Sequence, residues 1–587
     1  MRKHLFLLLV TLALGQALKA QDKLTVYGAG RFSMHSGGVS GDVYDGLVIG
    51  ADTLSPDTVS ARSEMAGYAL FDLGFQFRPN AQTEIKALTR VYSELDGFWG
   101  QGINFNFREL YVRGIVKGKV KYRVGDLDLK MSKFTLYNSN GDLGAHDNNA
   151  THLYEDIIQY ENFFRNNSWR QQGLQTSFKL KLPGNGNRLD VMAFLAKNRQ
   201  ADYFFTPDRL LGGGMLSYEK LGWGKLDYYR TELFEIAETA PFSGQAQRIS
   251  TQSIAGTLKN PKLGRYVYHF EAGLSNMHYI EFEPEPSTET GAFFQLGLRE
   301  MAKEKKLHYF ANFNYVESQF RSPGAQSRRN NFSAAPTQFS FQGNQENVRQ
   351  QTVFDVLTDP TAYFRTIDPI LGAFNPAYSN VQPYGEATPN RTGLQAGFRM
   401  NQDSSWVEKL DAHIWLMSEV NGEGTDKRRS FMRADVSTTL NFAGLLQTDK
   451  ALLLEAYLKY EQTGRDPIDS ELSAIAGIGE IDLSSVFLEL TIAKEISDDL
   501  FIHAGMYLLQ ASGNEYMAVR NEFNQITDYT EMDIELTDRT LLAGIKYSLN
   551  QNNHLLIQVR NSNITNEQII GKSYSINQAL ITYNLFF

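Results

Sequence analysis

The chain has 587 residues, a formal net charge of −9 and no cysteine. Without cysteine it can form no disulfide, no thiolate metal site and no cysteine-linked lipid anchor. The negative charge argues against a nucleic-acid partner, and beyond Gln21 no stretch approaches the roughly eighteen consecutive apolar residues typical of a transmembrane helix.

The N-terminus has the three parts of a secretory signal peptide. A basic stretch at residues 2–4 precedes an apolar stretch at residues 5–14, and Ala20 stands before a suitable cleavage point. An apolar stretch this short cannot span a bilayer, so residues 1–20 are expected to be removed on secretion. No linker or composition break divides the rest of the chain, which predicts one mature unit, residues 21–587.

From Leu24 onward, strand-like runs alternate with connections that are short and long in turn. Between Tyr68 and Arg78, for example, apolar residues occupy alternate positions, and a tight Pro79-Asn80 turn follows. Alternation with a period of two predicts strands with one apolar face and one polar face. The pattern contains about 22 such runs, within a range of 16 to 24 that reflects the uncertainty of strand boundaries.

The last strand-like run, Ser573–Phe587, ends on an aromatic side chain. The alternate positions Phe587, Leu585 and Tyr583 are apolar or aromatic, whereas the intervening positions are mostly polar. This stretch resembles the terminal strand of a Gram-negative outer-membrane β-barrel, in which a final phenylalanine preceded by alternating apolar residues is recognised by the insertion machinery. The resemblance implies that Tyr583, Leu585 and Phe587 form the insertion signal. The final strand of a soluble β protein is the alternative.

The resemblance and the strand pattern together predict an all-β protein, a closed antiparallel transmembrane β-barrel with short periplasmic turns and long extracellular loops. The long loops are expected at residues 36–64, 130–169 and 321–390. Only closure removes sheet edges in lipid, so the first strand, Leu24–Met34, is expected to pair with the last. The expected location is the outer membrane, in contact with lipid and lipopolysaccharide.

The strand faces opposite the lipid are expected to line the lumen, and they carry nearly equal numbers of basic and acidic side chains. A balanced wall predicts cross-strand ion pairs and a hydrated interior, whereas a wall of one sign would predict strong ion selectivity. The alternative is that these charges only keep the lumen rigid. The residues predicted to line the pore are Lys86, Arg90, Glu94, Arg113, Arg399, Arg433, Asp435, Glu455, Lys459 and Glu489.

The connection over residues 321–390 is rich in proline and aromatic residues. Proline lowers the entropy lost when such a loop becomes ordered, and long ordered loops usually have a function. We expect this loop to fold into or over the pore and narrow it; an external cap or docking surface, or a disordered loop, are the alternatives. The residues predicted for the constriction are Arg321, Arg328, Arg329, Phe364 and Arg365, whose arginines would meet anionic solute or surface polysaccharide.

The histidines do not indicate catalysis. His146 and His152 lie among carboxylates in the second long loop, but their spacing fits no metal motif. His269, His413 and His503 fall in predicted strands with no identifiable neighbouring nucleophile. We therefore expect no enzyme activity, no metal and no cofactor.

These features predict a porin-like channel for passive or facilitated passage of small polar solutes. The alternative is an accessory barrel of a protein-secretion or surface-assembly complex, such as the type IX system. The segments Asp52-Thr53-Leu54 and Asp57-Thr58-Val59 resemble the O-glycosylation motif of Bacteroidota, although the motif is short and an ordinary loop is the favoured explanation. We expect a protein of Bacteroidota type. Expected partners are the insertion machinery, outer-membrane lipid and lipopolysaccharide, and surface or secretion proteins, with no nucleic acid.

Overall fold

The structure is a computed structural model. The predicted signal peptide lies outside the described residues, as does most of the loop over 321–390. The described residues are 24–41, 43–44, 58–59, 62–94, 103–137, 171–184, 186–242, 245–259, 266–281, 288–300, 307–326, 367, 369–371, 374–401, 406–468, 477–520, 526–550, 552–566 and 573–587.

Twenty-two strands form one sheet. They are β1 (Leu24–Gly41), β2 (Arg62–Asn80), β3 (Thr83–Glu94), β4 (Asn104–Val116), β5 (Val120–Leu127), β6 (Gln171–Lys181), β7 (Asn187–Arg199), β8 (Asp208–Lys220), β9 (Gly224–Ile236), β10 (Gln245–Leu258) and β11 (Tyr266–Glu281). The second half comprises β12 (Thr288–Glu300), β13 (Leu307–Val316), β14 (Arg391–Asn401), β15 (Val407–Ser418), β16 (Ser430–Asn441), β17 (Leu452–Arg465), β18 (Ile481–Ser497), β19 (Leu500–Arg520), β20 (Ile526–Asn550), β21 (Asn553–Asn566) and β22 (Tyr574–Phe586). One short 3₁₀ helix, Ala237–Thr239, follows β9, and Val43–Tyr44 pairs separately with Thr58–Val59.

The sheet is closed. Each strand pairs antiparallel with the next along the chain, and β1 pairs with β22 in a register that runs from Ala29↔Phe586 to Gly41↔Tyr574. Closure gives every strand two neighbours, so no edge is left with unsatisfied backbone groups. The predicted fold class, the strand number and the pairing of the first strand with the last are confirmed.

Tight turns alternate with longer connections around the barrel, and Leu24 and Phe587 lie at the end of the barrel that carries the tight turns. The boundary of the first long loop differs from the prediction over residues 36–64, because β1 continues to Gly41 and β2 begins at Arg62. The segment Gly37–Gly41 lacks apolar alternation, but its backbone still pairs with β22. Pairing of the main chain therefore extends the strand beyond the point where the side-chain pattern ends.

The two faces of the barrel wall differ in polarity. Phe71, Phe75 and Leu458 are exposed on the outer face, whereas Asp72 and Glu109 are buried on the inner face. An apolar outer face around a polar interior is the arrangement of a barrel whose solvent is lipid. Among the described residues, no helix is long and apolar enough to cross a membrane.

Strands β19 and β20 are much longer than the roughly ten residues that a transmembrane strand needs. Beyond Gly513, β19 pairs only with β20, and β20 pairs with β21 only from Leu536 onward. The intervening ribbon, residues 514–520 and 526–535, therefore projects past its neighbours at the end of the barrel that carries the long connections. It bends inward, because Glu515 and Ile534 within it are buried.

The seam between β1 and β22 has no space for a side chain at Gly28. The backbone of Gly28 exchanges two hydrogen bonds with Phe587, at 2.8 and 3.1 Å. A Cβ added at Gly28 would lie 2.4 Å from the carbonyl oxygen of Asp72 and 2.5 Å from the Phe587 ring, whereas a Cβ at Gly30 would meet nothing closer than 3.5 Å. Overpacking of this kind costs about 1–3 kcal/mol.

We therefore expect Gly28→Ala to lower the stability of the barrel and Gly30→Ala to have little effect. The measurement is the denaturant midpoint of each refolded variant, followed by the heat-dependent shift in electrophoretic mobility. Equal midpoints for the two variants would contradict the seam geometry.

Candidate functional site

The inner face of β2–β4 is crossed by ion pairs. Arg90 donates two hydrogen bonds to Asp72, at 2.7 and 2.8 Å, and Arg108 donates a third at 2.7 Å. On the same strands, the Lys86 ammonium of β3 lies 2.8 Å from the Glu109 carboxylate of β4. Cross-strand ion pairs are what the balanced wall predicted, and they hold neighbouring strands in register on the lumen side.

A second charged group lies deeper on the inner face of β15–β17. The Arg433 guanidinium lies 2.8 Å from Asp435, donates to the Tyr457 hydroxyl at 3.2 Å and stacks over the Trp415 ring. His413 Nδ1 lies 2.8 Å from the other oxygen of Asp435. These side chains are nearly fully buried, so this part of the wall is packed and does not face open water.

Three stretches of the long connections fold inward and cover parts of the wall, including Trp415 on β15 and the inner face of β7–β9. We call them the first inner segment (residues 128–137), the second inner segment (residues 317–326) and the third inner segment (residues 374–390). The second segment is attached to the wall through its backbone: the Arg321 N–H donates to the Ser275 hydroxyl at 2.8 Å, and the Thr251 hydroxyl donates to the Arg321 carbonyl at 3.1 Å.

The third inner segment is attached to the opposite wall by buried polar contacts. The Tyr378 hydroxyl donates to Asp538 at 3.1 Å, and the Asn380 side-chain amide donates to Glu515 at 2.5 Å and to Thr463 at 3.0 Å. The Lys459 ammonium of β17 donates to the Tyr378 carbonyl at 2.5 Å. Buried polar groups are costly without partners, so these contacts specify one position for the segment.

Apolar contacts support the same arrangement. Tyr378 packs in a cluster with the inward-facing rings of Tyr457, Phe487 and Tyr507. On the other wall, Phe320 of the second segment packs with Phe293. Both clusters are on the lumen side, so the hydrophobic core of this protein lies between the inner segments and the wall.

The inner segments also contact one another. The Tyr137 N–H donates to the Gly324 carbonyl at 2.6 Å, and the Ser322 hydroxyl donates to the Thr135 carbonyl at 3.3 Å. Lys133 forms an ion pair with Glu386 of the third segment. Together the segments extend across the lumen from β10–β12 to β17–β20.

A buried arginine connects the long connections at the rim. Arg429 contacts the carboxylates of Glu419 at 2.6 Å, Glu423 at 2.7 Å and Glu515 at 3.2 Å. Burial alone would raise the pKa of Glu423, but the guanidinium groups of Arg429 and Arg520 outweigh it and lower that pKa. The cluster holds the projecting ribbon, through Glu515, against the connection between β15 and β16.

The structure places the described pore-lining residues on the inner face, in two environments. Arg113 and Arg399 are largely exposed inside the lumen, whereas Glu455, Lys459 and Glu489 are buried. Arg90, Arg433 and Asp435 are buried in the ion pairs described above, and Lys86 is partly covered. The Glu94 side chain lies outside the described part of the structure.

The constriction residues are placed only in part. Arg328, Arg329, Phe364 and Arg365 lie outside the described residues. Arg321 is buried and donates to the carbonyl oxygens of Ser318 and Phe320, at 2.8 and 3.0 Å. Its guanidinium therefore holds the second inner segment together, and the expectation that it meets solute is replaced by this structural role.

The predicted insertion residues Tyr583 and Leu585 lie on the outer face of β22, and Phe587 directly follows the strand. Phe587 is exposed and stacks on Phe71 of β2, with ring centroids 5.7 Å apart. Tyr583 and Leu585 have the same facing by strand alternation and are partly exposed. Their recognition by an insertion machinery stays a prediction.

Sequence reasoning missed Asn380, Glu515 and Arg429. Asn380 lies in a loop with no periodic pattern, and Arg429 directly precedes a strand. Only the fold brings these residues together, and no local signal in the sequence identifies them. Among the described residues, no group of three or more His, Asp or Glu side chains could hold a metal ion.

No family model and no curated protein sequence matches this chain. Its fold is similar to solved β-barrels at very low identity. OpdQ of Pseudomonas aeruginosa is 9% identical with a TM-score of 0.31, over 96% of this chain and 98% of that one. A BenF-like porin from Pseudomonas fluorescens Pf-5 is 10% identical with a TM-score of 0.35, over 96% and 99%. The translocation pore of the P pilus usher PapC is 8% identical with a TM-score of 0.34, over 94% and 99%.

The three environments of the wall can be distinguished by labelling, because the chain has no native cysteine. In protein reconstituted in a bilayer, we expect a water-soluble maleimide to label Arg399→Cys quickly. It should label Lys459→Cys slowly, because the third inner segment covers that position, and Phe71→Cys hardly at all, because lipid covers it. Mass spectrometry measures the labelled fraction. Equal rates at positions 399 and 459 would mean that the third segment does not cover the wall.

Proposed function

We propose that this protein is a porin-like channel of a Gram-negative outer membrane, of Bacteroidota type, for the passage of small polar solutes. The observation that carries the proposal is a closed barrel with an apolar outer face whose inner face still presents charged side chains to water, such as Arg113 and Arg399. A barrel of 22 strands is too wide for wall side chains alone to fill.

The inner segments supply the narrowing that such a channel needs. They cover the part of the inner face nearer the long connections, from Phe194 of β7 to Tyr507 of β19. The exposed charges, such as Arg113 and Arg399, lie nearer the tight turns. The path is therefore narrowed at the end of the lumen that carries the long connections. A passage narrowed in this way admits small solutes and excludes large ones.

Removal of the loop tests the channel. Residues 325–386 can be replaced by a short Gly/Ser bridge, because Ala325 and Ala387 already pack in the same cluster. The barrel should still form, since closure depends on strand pairing, and single-channel conductance in a planar bilayer should rise several-fold over the intact protein.

The control for this experiment is the replacement of residues 521–525, the five-residue connection between β19 and β20, by a Gly/Ser bridge of equal length. Conductance should then stay at the level of the intact protein. If neither the intact protein nor the 325–386 variant conducts, the channel function is wrong. An accessory barrel of a secretion or surface-assembly complex, of the type IX kind, then becomes the better hypothesis.

The outer-membrane location has its own test. Replacing Phe587 with Asp puts a charge on the outer face at the seam and removes the terminal aromatic residue. We expect the variant to be degraded before insertion, so that the heat-modifiable band is lost from isolated outer membranes. The matched variant Phe587→Tyr keeps the ring and should insert normally. Normal insertion of the Asp variant would argue against a terminal insertion signal.

A further inference from the structure

We propose that the solutes selected by this channel are small oxyanions, such as carboxylates and phosphates, and that cationic side chains at the tight-turn end of the lumen select them. The proposal rests on the channel function above and adds the charge of the solute. The basic and acidic side chains of the wall are nearly equal in number, so their count predicts no preference. The preference comes from which charge of each pair faces the water.

In four ion pairs on the strands near the tight turns, the cation is more exposed than its acid, whereas in the pair Lys450–Asp498, whose acid lies in a turn, the acid is the more exposed partner. The exposed side-chain fractions are 50% for Arg113 against 10% for Glu84, 57% for Lys179 against 18% for Asp190, and 56% for Arg399 against 4% for Asp411. Lys225 and Asp227 follow the same order.

The reason is the length of the side chains. A short carboxylate stays close to the strand, while the stem of lysine or arginine carries its charge toward the water. Each acid therefore lies behind its cation as seen from the lumen. The side chain of one inner-face acid, Glu219, is more exposed than those of Glu84, Asp190 and Asp411. Glu219 is paired with Arg188 at 2.6 Å.

These cations form a band at one end of the barrel. Arg113 lies close to the end of β4, Lys179 close to the end of β6, and Arg399 close to the end of β14. Each of these strand ends is followed by a tight turn. Lys121 at the start of β5 and Arg299 near the end of β12 are also exposed on the inner face. The band faces the part of the lumen that the inner segments leave uncovered.

A band of exposed cations inside a low-dielectric wall raises the local concentration of anions. Guanidinium groups additionally offer paired N–H donors, whose geometry matches the two oxygens of a carboxylate or phosphate. Oxyanions are therefore favoured over halide ions of the same charge. Because the cations are exposed to water, added salt should weaken the preference.

The structure allows these cations to be removed without leaving a carboxylate unpaired. When Arg113 is replaced, Glu84 still pairs with Arg78 at 3.3 Å. When Lys179 is replaced, Asp190 still pairs with Arg188 at 3.0 Å. When Arg399 is replaced, Asp411 still has Lys409 at 3.8 Å. The triple variant R113Q/K179Q/R399Q should therefore fold as the parent does, which its heat-modifiable band will show.

The matched control is Arg248→Gln. Arg248 is exposed to a similar degree and pairs with Glu232, which keeps Arg230 at 3.2 Å when Arg248 is lost. Ile249 beside it is buried on the inner face, so Arg248 lies on the outer face by strand alternation. The control thus removes the same kind of charge from the other side of the wall.

The experiment is the reversal potential of the intact protein in a potassium chloride gradient, and then in a potassium acetate gradient. We expect anion permeability to exceed potassium permeability, with acetate favoured relative to its mobility in water. The triple variant should bring the permeability ratio close to one, and Arg248→Gln should leave it unchanged. A cation-selective channel, or a triple variant with an unchanged ratio, would overturn this inference and leave the channel function intact. Absence of any current would overturn both.

Discussion

The pairing of β1 with β22 is the interaction on which the rest of the structure depends. It closes the sheet, so each of the 22 strands has two neighbours and no backbone edge meets lipid. The contact is tight: Gly28 leaves just enough space for the Phe587 ring. Closure also creates an interior that the wall side chains cannot fill, and the remaining features of the protein are ways of filling or using that interior.

The interior is used unequally along the barrel axis. Against β10–β12 and β17–β20, the inner segments form apolar clusters and satisfy buried polar groups, as Tyr378 and Asn380 do with Asp538 and Glu515. Near the tight turns, charged side chains such as Arg113 and Arg399 keep their contact with water. Burial of a charge is tolerated only where partners are supplied, so the position of the inner segments decides which wall charges are structural and which can act on a solute.

The same kind of ion pair therefore has two consequences. Where the pair is covered, as for Arg433 and Asp435, both charges are buried and cancel. Where the pair faces water, as for Arg399 and Asp411, the longer cation reaches the lumen and its acid does not. A wall with balanced charges can in this way present a surface of one sign. The count of charges alone gives no indication of this, because it ignores how far each charge stands from the strand.

The fold itself could be read from the sequence, because the period-two pattern is a local property. Alternation in Tyr68–Arg78 and in Ser573–Phe587 identified strands and their facing, and alternating connection lengths identified the barrel and its number of strands. The placement of Lys86 and Arg113 on the inner face follows from the same alternation. Strand ends were harder to predict from the sequence, because β1 continues through Gly37–Gly41 by main-chain pairing without apolar alternation.

The interior required the tertiary structure. The composition of residues 321–390 indicated a loop with a role in the pore. The contacts of this loop, however, join residues that are far apart in the chain, such as Asn380 with Glu515 and Ser322 with Thr135. Such contacts have no periodic signal, and Arg321, expected to face solute, is instead buried by them. The sequence by itself therefore determined the barrel, because strand periodicity and closure are set by nearest neighbours and by lipid. Only the tertiary structure decided which wall charges meet water, because that depends on where distant loops come to rest.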